Sequence, residues 1–219
     1  RYSHDPANPS SLSSDRVRVL HRDRFGWLWI GTDGGGLNRL DPETGEAVRF
    51  THDPDDPGSL SDDRVYGIAE DPAGNLWIAT DGGGLNYMQV SSGQFEKLRH
   101  DPARPNSLPS DRVHAVAFDS DGFLWAGTHD RGLARLAPGG RDFELFQHDP
   151  EDPTSLSNND VRAVYRSPDG ALWIGTDDGL NLWQPDSRSF ARLVNDPSDL
   201  NSLSDNRVVS IFQDRGGVL

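Results

Sequence analysis

Short apolar runs separated by polar turns recur along the chain in one fixed order. In the second copy, an apolar run at 64–71 ends at a DPAGN turn, and LWIAT at 76–80 ends at DGGG. Two further runs, LNYMQV and QFEKLRH, follow on either side of SSG. Short runs of strand-forming residues bounded by Asp, Pro and Gly are typical of β-strands joined by tight turns. Each copy is therefore predicted to form four short antiparallel strands.

The length of the repeat is constant. Its tryptophans stand 48 residues apart, at Trp29, Trp77, Trp125 and Trp173. A four-stranded sheet of this size cannot bury both faces alone, whereas sheets stacked face to face around an axis can. The sequence therefore predicts an all-β fold, a β-propeller of four-stranded antiparallel blades. We expect whole blades at 15–52, 63–100, 111–148 and 160–194, and partial repeats at 1–6 and 205–219.

Within the first blade, we expect an inner strand at Val17–Arg22 and further strands around Trp29, at 37–40 and at 48–51. The repeated tryptophan is predicted to wedge between adjacent blades, because a large residue at a fixed blade position favours inter-blade core over a ligand platform. Trp27 and Trp183 occur once each, which leaves open a role as surface stacking residues. The glycines after the tryptophan strand precede another strand and no helix, so we expect turns there and no phosphate loop.

The composition of the chain limits the classes of partner and of chemistry that can be expected. The formal net charge is −14, with 35 acidic against 21 basic residues. Such a balance repels nucleic-acid phosphates and anionic lipids, so we expect no nucleic-acid partner and no membrane contact by this segment. The chain has no cysteine, which excludes disulfides, thiolate metal sites and cysteine nucleophiles. The sequence contains no run of about 18 apolar residues, which is the length that a membrane-spanning helix needs.

Candidate ligand contacts lie beside the inner strands. In a propeller with this strand order, the loop before the inner strand and the loop after the tryptophan strand open on one face, around the channel. The position after the inner-strand valine varies while its neighbours repeat, which predicts a ligand-contact role. These first candidates are Arg18, Tyr66, His114 and Arg162. Secondary candidates in the second loop are Asp33, Asp81, His129 and Asp177.

An arginine precedes the inner-strand valine in every copy except the fourth, where Asp160 stands. The series is Arg16, Arg64, Arg112 and Arg207. A ring of guanidinium groups would suit carboxylates or sulfates, because arginine donates hydrogen bonds in a planar fork. The alternative is that each arginine pairs with a nearby acid such as Asp15, Asp63 or Asp111 and only ties the loop down.

No metal or cofactor is predicted. The recurrent histidines are His4, His52, His100 and His148. They are expected about 14 Å further out than the inner strands, too far apart to share an ion. Their HDP motif is instead predicted to be a strand end followed by a turn that the aspartate begins. The DSDG at 119–122 resembles the start of a calcium loop but lacks the later carboxylate.

The four copies resemble a known family. They read GWLWIGTDGGGLNRLD, GNLWIATDGGGLNYMQ, GFLWAGTHDRGLARLA and GALWIGTDDGLNLWQP, each preceded by an SLS or SLP segment. These strings resemble the two-component regulator propeller repeat, although the third copy has HDRG and the fourth is one residue shorter. The resemblance implies the extracytoplasmic sensor region of a bacterial hybrid histidine kinase or a related signalling protein. It also implies a periplasmic or extracellular location and an oligosaccharide or other small-molecule ligand.

Three functions follow from this reading. A non-catalytic ligand-sensing module is favoured. A propeller lyase would need a general base with a metal or paired acid at one face; His21, His114 and His129 are the only non-repeating histidines, and no carboxylate pair stands out beside the last two. A scaffold for protein partners is the third. Because unfilled blade faces would carry apolar side chains, we also expect self-association through them.

Overall fold

The computed structural model describes residues 1–214 and 216–219. Arg215, within the expected partial repeat 205–219, lies outside the described residues. Over the described ranges, the chain is all-β, without helix, and forms four antiparallel four-stranded sheets. In each sheet the strands pair in sequence order, so each sheet is a meander and one blade. The predicted all-β propeller fold with its blade period of about 48 residues is confirmed.

The strands of the first two blades are β1 (Val17–Arg22), β2 (Leu28–Thr32), β3 (Leu37–Leu40), β4 (Ala47–Phe50), β5 (Val65–Glu70), β6 (Leu76–Thr80), β7 (Gly84–Gln89) and β8 (Gln94–Leu98). Those of the last two are β9 (Val113–Phe118), β10 (Leu124–Thr128), β11 (Leu133–Leu136), β12 (Phe143–Phe146), β13 (Val161–Arg166), β14 (Leu172–Thr176), β15 (Gly179–Gln184) and β16 (Ser189–Leu193). The outer strand expected at 48–51 begins one residue earlier, because Ala47 already pairs with Leu40.

The chain divides into two compact units, and the first comprises residues 1–100 and 111–113, with the first two blades. Trp29 is fully buried and packs with Val65 and Ile78 of the second blade, as predicted for a wedge between blades. The two blades approach closely at Gly31, where an added Cβ would lie 2.5 Å from Val19 and 2.6 Å from Val65. Only glycine fits such a contact without movement of its neighbours.

The second unit comprises residues 101–110 and 114–219, with the last two blades apart from Val113. Trp125 is fully buried and packs with Val161 and Trp183. The two indole rings meet edge to face, with centroids 5.0 Å apart. Trp183 belongs to this core, so it is not a surface stacking residue. Trp77 and Trp173 are only half-buried, so the deep wedge is established for the other two repeated tryptophans.

The HDP connections are held by one repeated set of hydrogen bonds. In the second connection, the His52 backbone N–H donates to Asp63 Oδ1 (2.7 Å), and the His52 ring donates from Nδ1 to the Leu60 carbonyl (2.8 Å). The Asp53 carboxylate then accepts from the N–H of Asp55, which makes the expected turn. The same ring-to-carbonyl bond recurs at His4 and His148. The prediction of a strand end followed by an aspartate turn is confirmed.

A buried asparagine ties each of three connections to its blade. Asn86, which is fully buried, accepts from the Ser61 backbone N–H (2.9 Å) and donates to Ser61 Oγ (2.7 Å). Asn38 and Asn181 make the equivalent pair of bonds. Because a buried polar group without a partner is costly, this amide is a specific requirement of the fold.

Candidate functional site

The inner strands β1, β5 and β13 each contain a β-bulge at the position predicted to contact ligand. The ladder of β1 and β2 shifts register between Val17 and Val19, and that of β13 and β14 shifts between Val161 and Ala163. The same shift occurs between Val65 and Gly67. The residues skipped by the ladder are Arg18, Tyr66 and Arg162. A bulge leaves its extra residue out of the ladder and re-aims the side chain, and bulges are common beside binding sites.

In the first unit, Arg18 contacts two other candidate residues, Asp33 of its own blade and Tyr66 of the next blade. Its NH2 lies 2.6 Å from Asp33 Oδ2, and its guanidinium lies 5.1 Å from the centre of the Tyr66 ring. The hydrogen bond to Asp33 raises the pKa of Arg18 above its ordinary value. The Arg18 side chain is still 47% exposed. A charged fork and an aromatic ring therefore share one partly exposed surface.

Asp81 is the centre of a second group in this unit. Its Oδ1 accepts from Arg112 Nε (2.9 Å), and its Oδ2 lies 3.4 Å from Arg64 NH1. Arg64 also contacts Asp62 (3.1 Å), and this hydrogen bond is the main reason that the pKa of Arg64 is raised. Asp63 instead accepts from the backbone of His52. Arginine pairing therefore occurs, but Arg64 pairs with Asp62 and Asp81 and not with Asp63.

Asp15 and Asp111 behave as Asp63 does. They accept the backbone N–H groups of His4 and His100 at 2.8 and 2.7 Å. Arg16 is exposed, and its carbonyl accepts the Asp33 backbone N–H (2.8 Å). The three aspartates considered as arginine partners thus belong to the HDP connections.

In the second unit, Arg162 bridges two carboxylates. It donates to Asp177 through Nε and NH2 (both 2.9 Å) and to Asp160 through NH2 (2.7 Å). Arg207 Nε lies 3.4 Å from Asp177. The hydrogen bond from Arg162 lowers the pKa of Asp177. Burial raises the pKa of Asp160, although its contacts with His129 and Arg162 oppose that shift.

Asp160 also meets the two non-repeating histidines of this unit. His129 Nδ1 lies 3.0 Å from Asp160 Oδ1 and 2.9 Å from Oδ2. The His114 and His129 rings lie with centroids 4.9 Å apart at a tilt of 30°, and His114 is buried. The sequence alone does not predict an acid beside these histidines, because Asp160 is 31 residues from His129. The available signal was that Asp160 interrupts the arginine series.

A separate groove lies at the other end of β1, in the first unit. Its lining includes Arg22, Phe25, Trp27 and Glu43, and its volume is about 410 Å³. The guanidinium of Arg39 lies 4.7 Å from the centre of the Trp27 ring, so it covers part of this indole. Trp27 remains half-buried and lines the groove.

Comparison with known proteins agrees with the architecture. A family model described as two component regulator propeller matches residues 11–34, 59–82, 107–130 and 155–178. No curated protein sequence matches the chain. The extracellular domain of the hybrid two-component system BT3049 from B. thetaiotaomicron is similar in structure, with a TM-score of 0.76 and 23% identity over 99% of this chain.

Two further solved structures share the fold. Virginiamycin B lyase from Staphylococcus aureus, in a catalytically inactive form with quinupristin, has a TM-score of 0.61 and 18% identity over 84% of this chain. The Cps50 (Swd1) propeller of Myceliophteria thermophila has a TM-score of 0.61 and 15% identity over 93% of this chain. The chain spans 33% of the two-component domain, 56% of the lyase and 61% of the Cps50 chain. Within the described residues, helices capable of crossing a bilayer are absent.

Proposed function

Because the chain carries four two-component regulator propeller repeats, we propose that it forms part of a non-catalytic, ligand-sensing propeller of a bacterial two-component signalling protein. Its similarity to the extracellular domain of a hybrid two-component system supports this role and a periplasmic or extracellular location. The module recognises a solute outside the cytoplasm, and the rest of the parent protein transmits the change.

The β-bulges are the observation that carries this proposal. A blade needs its inner strand to pair and pack, and a regular ladder would serve that purpose. Instead, Arg18, Tyr66 and Arg162 stand at bulges, and each differs in chemistry or surroundings from its equivalents. A structural device repeated with changing side chains is typical of a surface that is adapted to a partner.

An oligosaccharide bearing carboxylate or sulfate groups is the ligand class that we propose. Arg18, Arg64 and Arg112 have side chains that are nearly half exposed, although each meets an aspartate. Exposed ion pairs contribute little to stability and exchange partners at low cost, so an anionic group can compete for these guanidinium groups. Sugar hydroxyl groups can in turn donate to Asp33 and Asp81.

Calorimetric titration of the chain with neutral, carboxylated and sulfated oligosaccharides tests the proposal. We expect heat of binding with an anionic set, and its loss in Arg18→Ala and Tyr66→Ala. Arg104→Ala is the matched control, because Arg104 also forms an exposed ion pair, with Asp142, but lies in a connection between blades. Equal loss in the Arg104 variant, or no binding by any set, would contradict the proposal.

The lyase alternative has a separate readout. The virginiamycin B lyase has the same fold, but 18% identity supports no shared activity. Incubation with the same oligosaccharides should leave their chain lengths unchanged. New unsaturated products, detected by ultraviolet absorbance, would replace the sensing role by a catalytic one.

We also propose self-association through apolar blade surfaces. Leu20 in β1 and Phe212 are 60% and 75% exposed, and large apolar side chains favour burial. Light scattering should show a dimer or larger species, and Leu20→Ser or Phe212→Ser should weaken it. Leu200→Ser is the control, because Leu200 is also exposed but lies in a connection. A monomeric wild-type chain would exclude this assembly.

A further inference from the structure

We infer that His114, His129 and Asp160 form a binding site for a divalent transition-metal ion in the second unit. One ligand atom from each residue lies within 4.8 Å of the other two. His114 lies in β9, His129 follows β10, and Asp160 directly precedes β13. The site is therefore held by three neighbouring segments of regular blade structure, which restrict how far the side chains can separate.

The spacing fits a small ion after modest side-chain rotation. Zinc binds nitrogen and carboxylate oxygen at about 2.0–2.2 Å, which places the ligand atoms of a tetrahedral site about 3.4 Å apart. The His129 Nδ1 to Asp160 distance, 2.9 Å, is already shorter than that. The neighbouring His114 and His129 rings are tilted by 30° with centroids 4.9 Å apart. Because the three ligand atoms lie within 4.8 Å of one another, they need to approach by about 1.4 Å at most to reach the spacing of a tetrahedral site.

The donor chemistry favours a first-row transition metal. Two imidazoles and one carboxylate suit zinc, and the same set also accepts iron, nickel or copper. Three protein ligands leave at least one coordination position for water or for an oxygen of a bound solute. A closed structural zinc site would need a fourth protein ligand, so this geometry points to an open site.

Arg162 supplies an outer contact and does not prevent cation binding. It donates once to Asp160 but twice to Asp177, so its charge is balanced mainly by Asp177. Ligating carboxylates are commonly oriented by such outer hydrogen bonds. Asp160 has two oxygens, and one can face the ion while the other keeps the contact with Arg162. The two carboxylates together offset the guanidinium beside the ion.

The sequence offers an independent observation. The third blade alone has histidine at both candidate positions, where the other blades have Arg18 and Asp33, Tyr66 and Asp81, or Arg162 and Asp177. The arginine series also breaks only at Asp160. Three departures from the repeat therefore meet at one place, and all three introduce groups that ligate metals. Packing of a blade requires none of these departures, because the other blades form without them.

Titration of the whole chain with Zn²⁺ alone, followed by calorimetry, tests this site directly. We expect one ion per chain, and at least about tenfold weaker binding in His129→Gln and in Asp160→Asn. Co²⁺ should give the strong visible absorption of a low-symmetry nitrogen and oxygen site in the wild type but not in the two ligand variants. His21→Gln is the matched control, because His21 also meets an acid, Glu70, but lies in the first blade.

Two further measurements distinguish loss of the metal site from misfolding of a variant. Each variant is first compared with the wild type by thermal unfolding without metal, and imidazole resonances of wild-type His114 and His129 are followed during Zn²⁺ addition. Selective change of these two resonances supports the site. Unchanged resonances, or equal binding by the wild type and both ligand variants, would show adventitious surface binding and overturn it. No saccharide is present, so failure here is distinct from failure of the proposed sensing function.

Discussion

The connections between blades and the starts of the inner strands are subject to different physical demands. The HDP connections that begin at His4, His52 and His148 carry the same histidine, aspartate and serine contacts, and each has a buried leucine anchor, such as Leu60. At the starts of the inner strands, the side chains change from Arg18 to Tyr66 to His114 to Arg162. Repetition thus marks what each blade needs in order to fold, and variation beside it marks where chemistry can differ.

Buried repeated residues and exposed inner-strand arginines also contribute differently to the free energy of unfolding. Truncation of the fully buried Trp29 or Trp125 removes large apolar contacts, and truncation of the buried Asn86 removes buried hydrogen bonds. Arg18, Arg64 and Arg112 form ion pairs with side chains that are nearly half exposed, and such pairs contribute about 1 kcal/mol or less. Substitutions should therefore divide into those that unfold the chain and those that change only what it binds.

The largest expected effect comes from Trp29→Ala. Loss of this fully buried indole from between two blades should reduce the free energy of unfolding by about 3–5 kcal/mol. Urea unfolding followed by circular dichroism measures the change. Trp27→Ala is the control, because this half-buried indole lines the groove beside β1. If both substitutions cost the same, the repeated tryptophan is not a special core residue.

Asn86→Ala should have an intermediate effect. It leaves the Ser61 backbone N–H without its side-chain partner in a buried position, at a cost of about 1–3 kcal/mol. Thermal unfolding compares it with Asn201→Ala, in which the lost bond to Asp199 is exposed. A loss no greater than that of the Asn201 variant would mean that water replaces the amide.

Arg18→Ala should weaken ligand binding more than it lowers stability, in contrast to the two core substitutions. Its exposed pair with Asp33 should contribute less than about 1 kcal/mol to stability, while anionic oligosaccharide binding falls at least about tenfold. Parallel unfolding and titration of one preparation measure both quantities. A stability loss comparable with that of Trp29→Ala would place Arg18 in the framework and remove the distinction.

The smallest expected effect is on the pKa of Asp152, which lies in a connection between blades. The Thr154 hydroxyl and backbone N–H hold the pKa of Asp152 below its ordinary value, so this carboxylate stabilises the folded state at neutral pH and loses that effect as pH falls through its folded-state pKa. Thr154→Ala should raise the folded-state pKa of Asp152 towards its unfolded value, so the pH-dependent loss of stability becomes smaller and is complete at a higher pH. NMR titration measures the shift. Ser198→Ala should move only Asp196, its own partner, so a change at Asp152 there would contradict the local cause.

Sequence predicts those parts of the fold that depend on local pattern. The β1 and β3 bounds, the meander and the HDP turn all follow from alternation, turn residues and repetition. The pairing of Arg64 and Arg112 with Asp81 did not follow from sequence, because the fold brings Asp81 to them from 17 and 31 residues away. The bulge at Arg18 left only indirect evidence in the sequence, as a variable position between repeated ones.

The contact between Asp160 and His129 was hidden for the same reason. It joins the start of one inner strand to the loop after a tryptophan strand of the preceding blade in the second unit. Such pairs depend on how neighbouring blades stack, which a repeat motif specifies only on average. The departure from the repeat at Asp160 was visible, but its partner was not.

The central claim is that the repeated connections and the buried core stabilise the fold, while the bulged positions bind solute. Backbone amide shift mapping during titration with anionic oligosaccharides tests this claim most directly. We expect shifts at Arg18 and Tyr66 and at the loops of Asp33 and Asp81 in the first unit, with the HDP connections unchanged. Shifts confined to the groove of Phe25 and Trp27, or to the connections, would contradict it.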